Sequence, residues 1–572
     1  MGVRHLETFI KSLQNGYVEI SMIDEINSYK EKFNKKPVIV IDIFSFSGLF
    51  YRNTKDLLCG IRQQISIREV EQVFSGLAEC GAELVFFFDG PLQEAKTETW
   101  INRQLDSYEK FLRLVDSVGC EDLEKLSQIN PYEIPTFSTG RSVKKIAEKY
   151  GCVYKSVDEE CDLEIAAYAT KNQALAVLTQ DSDFLIYEGA WRYWSSKFIN
   201  PNTLTTMEYS REVFRQTLGL NPIQLSIFAS LAGNDIIQFD DVKQFHRHLL
   251  NRRHFSQKFF VLSSYIERNA QDLDNQKIRQ IIKDVFGYCN NELWEKFHKS
   301  LSTYNIHYHV KEKNTDPIFN ILMECTSQNL KIYLGKTLLF SIFYIDLRDY
   351  DHNFEFFTKL KPLISRTAGI LLQHKNKSNL FINCLFVHGE CQEFRIPVKY
   401  PPVKVPALTE LLSKDLEVDA NLKSIKYELF CWILSDLVTP EIIHKIQPSY
   451  VASAITAKFL VQHRLIIRFE ADLFLLTIHH AQTERIATDL PYPERLDERA
   501  VKVAFLLRAI YNKISECIST VGLREFKHEY YFDGVYFHSL WNKYNTKNVK
   551  YTTTLMNSVL PLLDEIQELR IY

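Results

Sequence analysis

The chain has 572 residues, 46% hydrophobic and 24% charged, the balance of a folded protein with room for several domains. Its net charge of −3 excludes a binder driven by a global positive field, so any contact with nucleic acid has to come from a local patch. Eleven scattered cysteines, with no C-x-x-C pair, suit reduced thiols in nucleus or cytoplasm rather than a zinc site or a disulfide scaffold.

The opening "MGVRHLETFI" lacks the basic stretch and long apolar run of a secretory signal. Leu6 stands where a myristoylated Gly2 would want Ser or Thr. "KKPVIVID" is a short apolar strand ending at Asp42, and "ISIREVEQVFSGLAECG" is an amphipathic helix closed by glycine. "AELVFFFDG" is a second strand, ending at Asp89. A polar, helix-rich insertion over 91–140 follows, then the helix "RSVKKIAEKYG", the strand "CVYKSV", the helix "DLEIAAYATKN" and the strand "ALAVLTQ". Strand and helix alternating at these intervals predict an α/β domain over 1–250, a parallel sheet flanked by helices. Beyond it, 251–400 and 401–572 read as mainly helical regions, with the proline-rich "IPVKYPPVKVP" between them. "TLLFSIFYI" is about half the length needed to cross a bilayer, so no transmembrane segment and no membrane partner are expected.

Three of the four strands end in acid: Asp42, Asp89, and the Asp181/Asp183 pair of "LTQDSDFLI". Glu160 and Asp162 follow the third strand at the mouth of a helix, and Asp235 sits in "LAGNDI" after a glycine. Taken singly, each is an ordinary helix cap, loop acid or helix-N-terminal charge. Together they would meet at the carboxyl edge of one sheet, where α/β proteins bind ligands. Carboxylates that close repel, by about 4 kcal/mol at 4 Å with an effective dielectric of about 20, so convergence requires cations. Oxygen donors select Mg²⁺ or Mn²⁺, and a pair of such ions serves phosphodiester hydrolysis.

The motifs "MGVRHLETFI", "VIVIDIFSF", "VFFFDGP", "EECDLEIAAYA", "LTQDSDFLI" and "LAGNDI" resemble, in order, those of flap-endonuclease/XPG-type nucleases, a branch of the PIN-like fold. The E-x-D-x-E-I-A variant and the length are most similar to the asteroid family. The resemblance covers about residues 1–250, including the 19-residue interval from Asp162 to Asp181. It implies that Asp42, Asp89, Glu160 and Asp162 surround one metal, and Asp181, Asp183 and Asp235 a second. It also implies that Lys96 and Arg103, seven and fourteen residues after Asp89, reach the scissile phosphate from one helical face. Gly2 and Arg4 match the family opening, while His5 departs from the usual glycine.

After Asp235 the duplex-gripping Gly-x-Gly turn of flap nucleases is missing. "HRHLLNRRH" offers instead a local basic cluster, with Arg247, Arg252 and Arg253 as candidate phosphate contacts or simply a solvated helix face. The insertion over 91–140 takes the place of the family's arch but mixes Lys110 and Arg113 with many acids. No sliding-clamp peptide stands out, and the aromatic "KHEYYFDGVYFH" reads as core before it reads as a stacking surface. The expectation is a structure-specific DNA nuclease using two Mg²⁺ or Mn²⁺ ions on flaps, ends or single-stranded segments. The alternatives are a nuclease-fold scaffold in growth-factor receptor signalling and a PIN-type ribonuclease acting on RNA.

Overall fold

The computed structural model describes residues 2–572 except 47–52, 91, 93, 131–133, 135–139, 157–159, 252–253, 272–273, 307–315, 325–326, 342–344, 350–354, 376–379, 414–418, 436, 528 and 545–563. The chain forms two compact units, each assembled from non-contiguous segments. The first comprises Met1–Leu49, Ile67–Thr99 and Ser138–Glu312, the second Phe50–Ser66, Trp100–Phe137 and Lys313–Tyr572.

The first unit is built on a seven-stranded sheet flanked by helices. Its strands are β1 (Tyr17–Ser21), β2 (Val38–Asp42), β3 (Glu83–Phe88), β4 (Gly151–Lys155), β5 (Ala176–Thr179), β6 (Arg192–Ser195) and β7 (Thr205–Tyr209). They lie in the order β1-β7-β6-β5-β2-β3-β4. The stretch from β4 to β6 is parallel, and β7 and β1 extend it antiparallel. β2 and β5 are central, so both faces are covered and "VIVID" and "AVLT" are apolar almost throughout, as parallel strands require. The register sets Ile41 beside Leu178 and Asp42 beside Phe87, which brings the carboxyl ends of β2, β3 and β5 to one level. The four parallel strands expected from the sequence are all present. The antiparallel margin of β1 and β7, and the short β6, are additions to that expectation.

A cluster of buried side chains runs from Val3 and Leu6 through Val177 and Phe228 to Phe297 and Tyr304. The helices Pro222–Ala232, Phe239–Leu250, Lys258–Asn269, Asn275–Phe286 and Asn291–Ser302 thus share one core with the sheet.

The second unit is mainly helical, and it also holds a three-stranded sheet of β8 (Leu338–Ser341), β9 (Phe381–His388) and β10 (Glu390–Pro397). β9 and β10 form a hairpin across Gly389, whose φ of 68° suits a residue without a Cβ. The aromatic stretch near the end is core, as expected: Tyr530, Phe532 and Phe537 are buried. No helix among the described residues is long and apolar enough to cross a membrane.

Arg62 organises this unit. Its guanidinium donates to Asp533 at 2.8 Å and to the carbonyls of Ala487 and Thr488 at 2.7 Å, with its side chain almost fully buried. Removing one partner of such a pair strands the other charge in the interior. Asp533→Ala is expected to cost about 3–5 kcal/mol, read as a lower urea midpoint for the transition that includes the second unit.

Candidate metal centre

β2 delivers Asp42 to the sheet edge with 6% of its surface exposed. Its carboxylate accepts hydrogen bonds from the Phe44 amide and the Thr179 hydroxyl, both at 3.0 Å. Burial, then the charges of Asp89 and Asp181, push its pKa up to about 7. Asp89, one residue past β3, is raised by burial first and by Asp181, with Lys96 opposing. Asp162, in the first turn of the helix Cys161–Lys171, is raised by burial and then by Asp181, Asp42 and Asp89.

The turn after β5 holds the Asp181/Asp183 pair. Asp181 is 4% exposed, and its carboxylate caps the following turn by accepting the Asp183 amide at 3.0 Å. Asp183 accepts the Val3 amide at 2.9 Å and the Tyr304 hydroxyl at 3.1 Å. Burial, then Asp181 and Asp235, push it up to about 8. The amino-terminal segment is laid directly on this pair. A Cβ built on Gly2 would stand 2.3 Å from Asp181 Oδ1 and 2.6 Å from Asp183 Oδ1, at a φ of 81°. Only glycine fits there.

Glu160 precedes the helix Cys161–Lys171 and makes no capping bond; it pairs with the Lys96 ammonium instead. Lys96 also reaches Asp235 at 3.3 Å, and the surrounding acids hold its pKa high despite burial. Asp235 is presented by a built turn. The helix Pro222–Ala232 ends at Gly233 (φ 98°), and Asn234 accepts the Ile236 and Ile237 amides while donating to Ser300 at 2.8 Å.

All seven acids expected at the sheet edge therefore belong to one linked set, with Lys96 inside it rather than pointing away to a ligand. Arg4 lies over the Phe239 ring at 5.2 Å. Arg103 is on the helix Thr97–Val118, in the part assigned to the second unit. Of the basic cluster, Arg247 is exposed, His246 is buried with Nε2 2.7 Å from the Leu231 carbonyl, and Arg252 and Arg253 lie outside the described residues. Thr179, Asn234 and Tyr304 were not expected in the site. The first two sit within the recognised motifs, whereas nothing in the sequence marks Tyr304, 121 residues from its partner.

Among the described residues, no three His, Cys, Asp or Glu side chains are placed to hold a metal ion together. The chemistry of the donor set still fits one: oxygen donors whose pKa values are raised by burial and then by one another's charges, with the Lys96 ammonium as a counter-charge. The Lys96 ammonium lies between Glu160 and Asp235.

The FAM120A-like domain family matches residues 218–308, the helical part of the first unit. The constitutive coactivator of peroxisome proliferator-activated receptor gamma from Bos taurus is 27% identical over 248 residues, covering 41% of this chain and 33% of that protein. The Homo sapiens protein of the same name is 26% identical over 242 residues, covering 41% and 26%. The chain thus spans a third or less of the length of these curated relatives. Among solved structures, human GEN1 in complex with Holliday junction DNA is 15% identical with a TM-score of 0.31, over 67% of this chain and 83% of that one. The catalytic core of Rad2 in complex with DNA substrate is 15% identical with a TM-score of 0.30, over 55% and 89%.

A pH dependence follows from the buried acids. Asp42 and Asp183 have folded pKa values of about 7 and about 8, above the roughly 3.9 of an unfolded Asp. The folded state then binds more protons than the unfolded one, so this stabilisation is full below about pH 4 and lost as pH rises through the folded values. Urea midpoints in EDTA should fall between pH 6 and pH 9, and the Asp42→Asn/Asp183→Asn double variant should flatten the slope.

Proposed function

We propose that this chain is a divalent-metal-dependent nuclease of the flap-endonuclease/XPG type, asteroid-like in its motifs, that hydrolyses phosphodiesters in DNA. The observation that carries the reading is the carboxylate set at the carboxyl edge of β2, β3 and β5, whose pKa values are raised by burial and by one another's charges, with Lys96 among them. Asp42, Asp89, Glu160 and Asp162 would hold one Mg²⁺ or Mn²⁺ ion, and Asp181, Asp183 and Asp235 a second. Such ions supply Lewis acidity at the phosphate and favour ionisation of the attacking water.

The chain's own groups prepare the site for this. Thr179 and Tyr304 donate to one oxygen of Asp42 and of Asp183, and the Phe44 and Val3 amides to the other, which holds both carboxylates in orientation; an ion would be met through their remaining lone pairs. Gly2 lets backbone approach the Asp181/Asp183 pair where any side chain would fill the space. Lys96, which needs a partner wherever it is buried, would exchange its carboxylates for a substrate phosphate when cations take them over. Arg103, Arg4, Arg247, Arg252 and Arg253 are the further candidates for phosphate contact.

Labelled flap, overhang and single-stranded DNA, with RNA strands of the same sequence, test the reading. Cleavage should require Mg²⁺ or Mn²⁺, cease in EDTA, and fall by about 10²–10³ in Asp181→Asn. Cleavage undiminished by that variant would defeat it, and preference for the RNA strands would move the assignment to a ribonuclease.

A second reading, an interaction scaffold on a nuclease fold, is favoured by the coactivator names of the curated relatives. Thermal melting separates the two. A metal bound at a hundredfold over its Kd adds about 2.7 kcal/mol to the native state, whereas a scaffold with an idle site should show no shift with Mn²⁺.

A further inference from the structure

The carboxylate edge has an aromatic neighbour on its β6 side. β6 runs parallel to β5 with Ser195 level with Thr179, so the turn Ser196–Phe198 leaves the sheet at the same edge as Asp181. The Ser196 hydroxyl donates to the Ser45 carbonyl at 3.2 Å, which ties this turn to the loop that follows Asp42. Ser196 is buried, but Phe198 is 39% exposed. Two ammonium groups stand against its ring, Lys11 at 4.3 Å from the centroid and Lys197 at 5.5 Å. Lys11 is carried there by the helix Leu6–Ser12, which begins three residues after Val3, the residue held on Asp183.

Glu7 is shared by both lysines, at 2.6 Å and 3.4 Å, and accepts the Tyr209 hydroxyl at 3.0 Å. The ring, its two ammonium groups and Glu7 form a mixed charged and aromatic patch beside the carboxylate edge. Tyr17, 40% exposed, extends it through its contact with the Tyr209 ring at 6.4 Å. An exposed ring bracketed by lysines has the chemistry of a nucleobase platform: the face stacks on a base, and the ammonium groups take the flanking phosphates. Stacking is worth more than the exposed cation–π contacts it would displace.

We infer that Phe198, with Lys11 and Lys197, stacks a base of a single-stranded nucleic acid whose backbone continues to the carboxylate edge. The inference rests on the nuclease reading of that edge and names the strand it acts on.

The test is fluorescence anisotropy of the full chain with an oligothymidine of about 20 nucleotides and its oligouridine counterpart, in EDTA so that nothing is cut. Phe198→Ala should weaken binding at least about fivefold, and Phe198→Tyr should restore it, with melting temperatures unchanged. Lys11→Ala/Lys197→Ala should reduce the salt slope of log Kd by about 1.4, the share of two phosphates on a single strand. The two oligomers separate DNA from RNA as the source of the strand. A wild-type chain that binds neither, a Phe198→Ala affinity within fivefold of wild type, or a Phe198→Tyr variant as weak as the alanine would overturn the platform. Failure of the nuclease reading looks different: binding that depends on Phe198, with no cleavage on adding Mn²⁺. Conversely, cleavage sensitive to Asp181→Asn with binding indifferent to Phe198 would remove the platform and leave the nuclease.

Discussion

Mutual repulsion among buried carboxylates is the constraint around which the first unit is arranged. A parallel sheet offers one edge at which all its strands end, and here that edge carries like charges. Water cannot screen them, because the apolar runs that make β2 and β5 good central strands also bury Asp42 and Asp181. The neighbourhood is therefore full of donors. The Thr179 and Tyr304 hydroxyls, the Val3, Phe44 and Asp183 amides, and the Lys96 ammonium all point at acid oxygens. Each lessens the repulsion, yet Asp42, Asp89, Asp162 and Asp183 all remain raised, by burial first and by neighbouring carboxylates second.

Much of this was legible in the sequence, for a physical reason. An apolar run that ends abruptly in Asp is a local signal, and three such runs among four strands in βα alternation mark both the strands and the edge. Lys96 shows where local signals stop. Its spacing from Asp89 marks it as a neighbour of the site, but its pairing with Glu160 and Asp235 depends on turns from distant parts of the chain. Tyr304 is the extreme case, a single residue from a helical region with no motif around it.

Some misses had a signal that was available. His246 looked like part of a basic cluster, yet Val242, Phe245 and His246 fall at i, i+3 and i+4 of one helix and form its buried face. Likewise β9 and β10 are two runs of eight residues either side of Gly389, a hairpin pattern hidden inside a region whose general character is helical. β6 and β7 are four and five residues long and too short for periodicity to reveal them.

The Arg62–Asp533 pair spans 471 positions of sequence, and the unit it anchors draws on three separated segments. During synthesis at about 5–20 residues per second, Arg62 therefore leaves the ribosome many seconds before its counter-charge exists. Until then its neighbours' apolar surfaces have no finished core to enter. Newborn chains of this protein should thus lean on chaperones, and shortened versions that stop ahead of Asp533 should go to aggregates rather than to a smaller folded product.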